Sequence, residues 1–207
     1  MAPHKSKELS TLLRKLRRET GSLDTLNSLA VWYLSYQANG QTPLSDVRYL
    51  STEDVRFARE LSELENGSKE RIIKASNYFE NKAYEYFAEA YHLKRTVKST
   101  QNFAWFLFHE RGEEERGLKI QRECLALEPR SVHPYYQCCR MLLCQERYGE
   151  AIPYFTAAYN REQDGATLQN IGACTPNLAT FNRPQSVSPP SSRQTVISMT
   201  RTPSTSR

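Results

Sequence analysis

The chain has 207 residues, 39% hydrophobic and 25% charged, with 28 Lys and Arg against 23 Asp and Glu. That composition suits one or two folded domains with a real core, and no apolar run approaches the length a membrane-spanning helix needs. The net charge of +5 divides unevenly: residues 1–20 and 176–207 each carry +4, so 21–175 carries −3, which argues against nucleic acid as the partner of the folded body.

The first element is a helix in which Leu9, Leu12, Leu13 and Leu16 share a stripe opposite Arg14, Lys15, Arg17 and Arg18. Its basic face has three readings: a surface or capping helix, a membrane-surface or targeting helix, or an arm touching nucleic acid. Glu8 and Glu19 argue against a transit peptide, and no apolar core of a secretory leader is present. A second helix is predicted from about Leu23 to Gln37, with Asp24 as its cap and Asn39-Gly40 as its stop. Ser51 or Thr52 caps a third, on which Val55, Ala58, Leu61 and Leu64 repeat before Asn66-Gly67. From Ser68 helix follows helix, with breaks expected at Asn77, Gly112, Pro129 and Tyr148-Gly149. No segment alternates as a strand does, so the predicted fold class is all-α. From Pro176 onward seven Ser, five Thr and five Pro leave the apolar residues without a period, and this tail is predicted to be disordered.

Comparing the chain with itself brings out a period of 34 residues. Ala83, Gly117 and Ala151 form one column, Ala90, Cys124 and Ala158 a second, and Phe87, Gln121 and Phe155 a third. Lys74, Phe108 and Leu142 form a weaker fourth. Small residues seven apart with a bulky one between describe a helix face packed tightly on its neighbour. The pattern resembles the tetratricopeptide repeat, a helix–turn–helix unit whose second helix carries Ala-x3-Phe. Ala83–Phe87 and Ala151–Phe155 match that element, Pro129 stands at the end of the middle unit, and Tyr148 supplies an aromatic at the turn. Gly117 and Gln121 depart from it in the middle unit, and Trp105 stands where a small residue is usual. Leu168, Ile171, Gly172 and Thr175 resemble the opening of a fourth unit that Pro176 cuts short, leaving Ile171 expected to be exposed.

The resemblance implies a right-handed superhelix over residues 64–175, three units and a truncated fourth, behind a helical N-terminal segment (1–63) and ahead of the tail (176–207). It also implies a non-enzymatic binding module whose concave groove holds a peptide or helix of another protein. By that resemblance Asn102, Phe106, His109, His133, Tyr136 and Arg140 line the groove. Family members that grip acidic chaperone termini carry lysines, an arginine and asparagines there, whereas Arg140 is the only such basic residue and Asn102 the only asparagine of this set, so that clamp is incomplete. Two alternatives stand beside this reading: an RNA-binding repeat resembling the interferon-induced tetratricopeptide proteins, and a truncated product without stable function.

Enzyme and metal chemistry have no candidate constellation. His4, His92, His109 and His133 form no motif with a nucleophile, and the glycines are scattered singly. Cys138, Cys139 and Cys144 lie near His133, but without the paired spacing of a zinc site, and read as buried small hydrophobes. No cofactor or metal is implied. Five cysteines, an odd number, predict reduced thiols and a cytoplasmic protein.

Overall fold

The computed structural model describes residues 2–35 and 49–163, together with residues 165, 167, 169–172 and 174. Eight helices of defined extent run through these residues: α1 (Ala2–Arg18), α2 (Leu23–Leu34), α3 (Thr52–Ser62), α4 (Lys69–Leu93), α5 (Val97–His109), α6 (Glu114–Leu127), α7 (His133–Cys144) and α8 (Tyr148–Glu162). Among the described residues there is no strand, so the fold is all-α. The expected end of α2 at Gln37 and the tail from Pro176 lie outside the described residues, as do Leu168 and Thr175.

Local chemistry explains most boundaries. Ser51 and Asp54 form a reciprocal capping box at the start of α3, and Ser68 caps α4 by accepting from the Arg71 N–H. The break expected at Asn77 is absent, because one asparagine costs a long helix only a few tenths of a kcal/mol, and α4 runs unbroken for 25 residues. The chain turns instead at Lys94–Thr96, where Thr96 and Ser99 cap each other's backbone N–H groups. On α3 the buried stripe is Phe57 and Leu61, whereas Val55 faces outward.

The helices pack in pairs. α5 lies along α6, α7 along α8, and α2 along α4, with α3 and the intervening chain inserted within this last pair. Successive pairs touch through α4–α5 and α6–α7, and α1 packs on α2. One continuous core runs from Leu9 and Leu13 of α1 through to Cys174. The segment boundary expected near residue 63 is therefore not a boundary in the packing: α2, which precedes it, is the first partner of α4. Ile171 packs partly buried against this core rather than standing exposed, with Thr167 and Cys174 buried near it.

The three small-and-bulky columns all sit in these seams. Ala83, Ala90, Cys124, Ala151 and Ala158 are wholly buried, and Phe87, Gln121 and Phe155 nearly so. Gly117 marks the closest approach. A Cβ built there would lie 2.7 Å from the Ala104 carbonyl oxygen and 2.9 Å from Phe108 Cβ. In the fourth column Phe108 and Leu142 are buried, while Lys74 is half-buried and pairs with Glu60 at 2.9 Å.

The first helices of the pairs obey their own spacing. Leu29, Ala30, Trp32 and Tyr33 of α2 are buried, as are Phe103, Ala104, Phe106 and Leu107 of α5 and Cys138, Cys139, Met141 and Leu142 of α7. These sets recur 74 and then 35 residues apart, while the second helices α6 and α8 repeat at 34. The turn between each pair keeps step with the second helix. Gly112 (φ 66°) and Glu146 (φ 57°), both left-handed, occupy matching places in the α5–α6 and α7–α8 turns. The one-residue difference thus falls between the first helix and its turn. One residue is about 100° of rotation on a helix, enough to exchange a buried position for an exposed one.

Candidate functional site: the face of the first helices

α2, α5 and α7 each present an exposed stripe at positions i, i+4, i+7 and i+11. On α2 these are Asp24, Ser28, Val31 and Ser35, on α5 Lys98, Asn102, Trp105 and His109, and on α7 His133, Gln137, Arg140 and Cys144; of the twelve only Asn102 and Gln137 are half-buried. Their opposite faces carry the buried sets just described, which fixes the stripes outward.

Two contacts align α2 with α5. Lys98 Nζ pairs with Asp24 Oδ1 at 2.7 Å, and Asn102 Nδ2 donates to Asn27 Oδ1 at 2.8 Å. In that register Val31 and Trp105 hold equivalent positions on the two stripes, and both are exposed large apolar side chains, 54% and 41% accessible. Asn27 in turn donates to the Leu23 carbonyl, so the Asn27–Asn102 pair is held from beneath while the Asn102 carbonyl oxygen stays open to accept a ligand N–H. An open cleft of ≈ 420 Å³ lies between α1, α2 and the start of α5, lined by Val31, Trp32, Lys98 and Asn102 and walled by Glu8 of α1, with Trp105 outside its lining.

At the other end of α5, the His109 ring packs on Trp105 with centroids 4.7 Å apart. Partial burial, then the nearby Arg140 guanidinium, hold the His109 imidazole below its ordinary pKa, against the opposing pull of Glu110 and Glu114. Arg140 is exposed and forms no ion pair with a described carboxylate. Gln137 lies one helical turn before it and His133 two, the two side chains in contact at 3.5 Å.

Of the six residues expected in the groove, Asn102, His109, His133 and Arg140 lie on this face. Phe106 does not: it is fully buried, packed against Phe87 and Tyr84. Tyr136 is half-buried and turned the other way, toward Phe155 and a hydrogen bond with Thr167. A strict 34-residue step carries Asn102 onto Tyr136 and Phe106 onto Arg140, and the 35-residue spacing of the first helices makes that transfer one residue wrong. The residues left out were Trp105, Val31, Lys98, Gln137 and Cys144. Their signal was the spacing of Lys98, Asn102, Trp105 and His109 on one helix.

Cys144 is also a correction, because it is exposed while Cys124, Cys138, Cys139 and Cys174 are buried. Burial pushes the thiols of Cys124 and Cys138 up to about 12. Among the described residues no three His, Cys, Asp or Glu side chains gather as a metal-binding set. None of the described helices is long and apolar enough to cross a membrane. A second hollow of ≈ 260 Å³ beside Glu53, Arg56 and Tyr78 is crossed by the Lys74–Glu60 pair, which leaves its charges neutralised.

No known family model matches the sequence, and a search of curated proteins found no match.

Proposed function

We propose that the chain is a tetratricopeptide-like, non-enzymatic interaction module of the cytoplasm, which holds a peptide or helix of a partner protein. In this reading the pairs α2/α4, α5/α6 and α7/α8 are its units, wound as a right-handed superhelix. The stretch that begins at Ala166 opens a fourth. The face of α2, α5 and α7 is the concave one. The observation that carries the reading is that exposed Val31, Trp105 and Arg140 hold equivalent positions on the three stripes, Trp105 one turn from the hydrogen-bonding Asn102. Exposed aromatics flanked by polar side chains are the usual composition of a recognition hot spot. An RNA channel finds less support, since Lys74, Lys82, Arg111, Arg116, Arg122 and Arg147 are all paired with carboxylates. The test is affinity capture from cell extract, with the full chain and its Trp105→Ala variant as baits. Loss of a discrete set of proteins from the variant is expected, and identical captures would refute the reading.

A further inference from the structure

The face of the first helices is the positive exception on an acidic body. Its charged side chains are Asp24, Lys98, Arg140 and the titratable His109 and His133, and Asp24 is already taken by Lys98. No carboxylate stands on the exposed stripes of α5 or α7, although residues 21–175 as a whole carry −3. The charge is polarised along the face as well. Glu8 of α1 walls the α1–α2 side of the face, whereas on the α7 side Arg140, without a carboxylate partner, lies near the His109 imidazole, which Glu110 and Glu114 also approach from the helix end. In the order of the helices Val31 on α2 and Trp105 on α5 come between Glu8 on α1 and Arg140 on α7.

From this we infer that the bound segment is an internal acidic stretch built around one bulky apolar residue. The apolar side chain sits on Trp105 and Val31, and carboxylates to one side of it meet Arg140 and His109. This rests on the interaction-module reading and gives its partner a chemistry. The spacing follows from the helix. His109 lies one turn, about 6 Å, beyond Trp105, and an extended chain advances about 3.3 Å per residue. The carboxylates therefore belong about two residues from the apolar anchor. Oriented charge of this kind sets specificity and speeds encounter, while the apolar contact sets the residence time.

The experiment is selection of a random displayed twelve-residue peptide library on the full chain. The selected peptides are then made with amidated C termini and titrated by fluorescence anisotropy. Expected are peptides with Asp or Glu about two residues from a Leu, Ile, Phe or Trp. Their affinity should fall at least tenfold in Arg140→Glu and return when the peptide's acids are exchanged for lysine. Arg140 is exposed, so its variant keeps the fold, which circular dichroism checks. Selected peptides that are neutral or basic, lose binding in Trp105→Ala and ignore Arg140→Glu would overturn the acidic assignment while leaving the interaction face in place. Peptides indifferent to both substitutions would overturn both. Binding that requires a free carboxyl terminus would overturn the internal segment in favour of a chain end.

Discussion

Replacing Gly117 with Ala tests the packing at its tightest point. The added methyl would stand 2.7 Å from the Ala104 carbonyl oxygen, 2.9 Å from Phe108 Cβ and 3.0 Å from Phe108 N. None of these atoms is the free end of a flexible side chain, so relief requires α5 and α6 to move apart. A radial gap of about 0.5–1 Å already forfeits a quarter to a half of each dispersion contact along a seam. This seam is the most extensive helix–helix contact among the described residues. Overpacking of this kind costs about 1–3 kcal/mol, and a clash with main-chain atoms belongs at the upper end. Alanine's better helix propensity returns about 1 kcal/mol, leaving a net loss of about 2 kcal/mol. For a domain of this size that is a fall in Tm of about 4–8 °C. Gly172→Ala is the control, because a Cβ there meets nothing within 4 Å. Urea and thermal melts followed at 222 nm, a standard helix signal at about that wavelength, measure both. A Gly117→Ala protein as stable as the parent would show that α5 and α6 do not approach this closely.

Four further outcomes follow from the packing and the site. Asp54→Ala removes the α3 capping box and the acceptor shared by Tyr33 (3.3 Å) and Tyr78 (2.6 Å), and should cost about 2–4 kcal/mol in urea unfolding, against about 1 kcal/mol for Tyr78→Phe. Burial raises the Tyr33, Tyr78 and Tyr86 hydroxyls, Tyr86 to about 12, so the folded state keeps protons the unfolded chain releases near pH 10. The stability these tyrosines contribute is full below that pH and falls as pH rises above it, the Tyr86 share being gone by about pH 12 while the Tyr33 and Tyr78 shares are still falling there; urea midpoints from about pH 10 to about pH 12 should fall, and less steeply in Tyr33→Phe. A thiol reagent should label Cys144 rapidly in the native protein and the four buried cysteines only on unfolding, a pattern that mass spectrometry of the labelled peptides resolves. His109 should titrate below the ordinary histidine range by NMR and move upward in Arg140→Gln; an unchanged midpoint would separate α7 from α5 at this point.

How much of this was legible in the sequence differs between the two helices of each pair. Second helices meet their partners through side chains whose size is the signal, so Ala83, Gly117 and Ala151 announce themselves at a constant step. First helices bury mixed chemistry at equivalent places, such as Leu29, Phe103 and Cys138, and share no residue type for self-comparison to find. α2 was doubly hidden, since α3 and the preceding stretch separate it from α4 in sequence, and a 34-residue period cannot register a 74-residue step. Its membership shows only in three dimensions, where Asp24–Lys98 and Asn27–Asn102 tie it to α5.

The site inherits that asymmetry. The proposed binding face lies on the first helices, at positions whose spacing the 34-residue period does not announce, and a slip of one residue there exchanges an exposed position for a core one. Phe106 and Tyr136 show the slip, and Trp105 shows how it could have been avoided. An exposed tryptophan has no packing reason to be on a helix whose opposite face already buries Phe103, Ala104, Phe106 and Leu107. With Lys98, Asn102 and His109 at helical spacing around it, that tryptophan defines the stripe without reference to any period. The insertion within the first pair has a consequence of the same kind. α3 is tied to buried Tyr33 of α2 and to Tyr78 of α4 through Asp54, and to α4 through the Glu53–Lys82 pair and through Phe57, whose ring stacks on Tyr78 with centroids 3.6 Å apart. None of these contacts reaches the exposed stripes of α2, α5 and α7, so the described part of the insertion is tied to the buried side of the first pair.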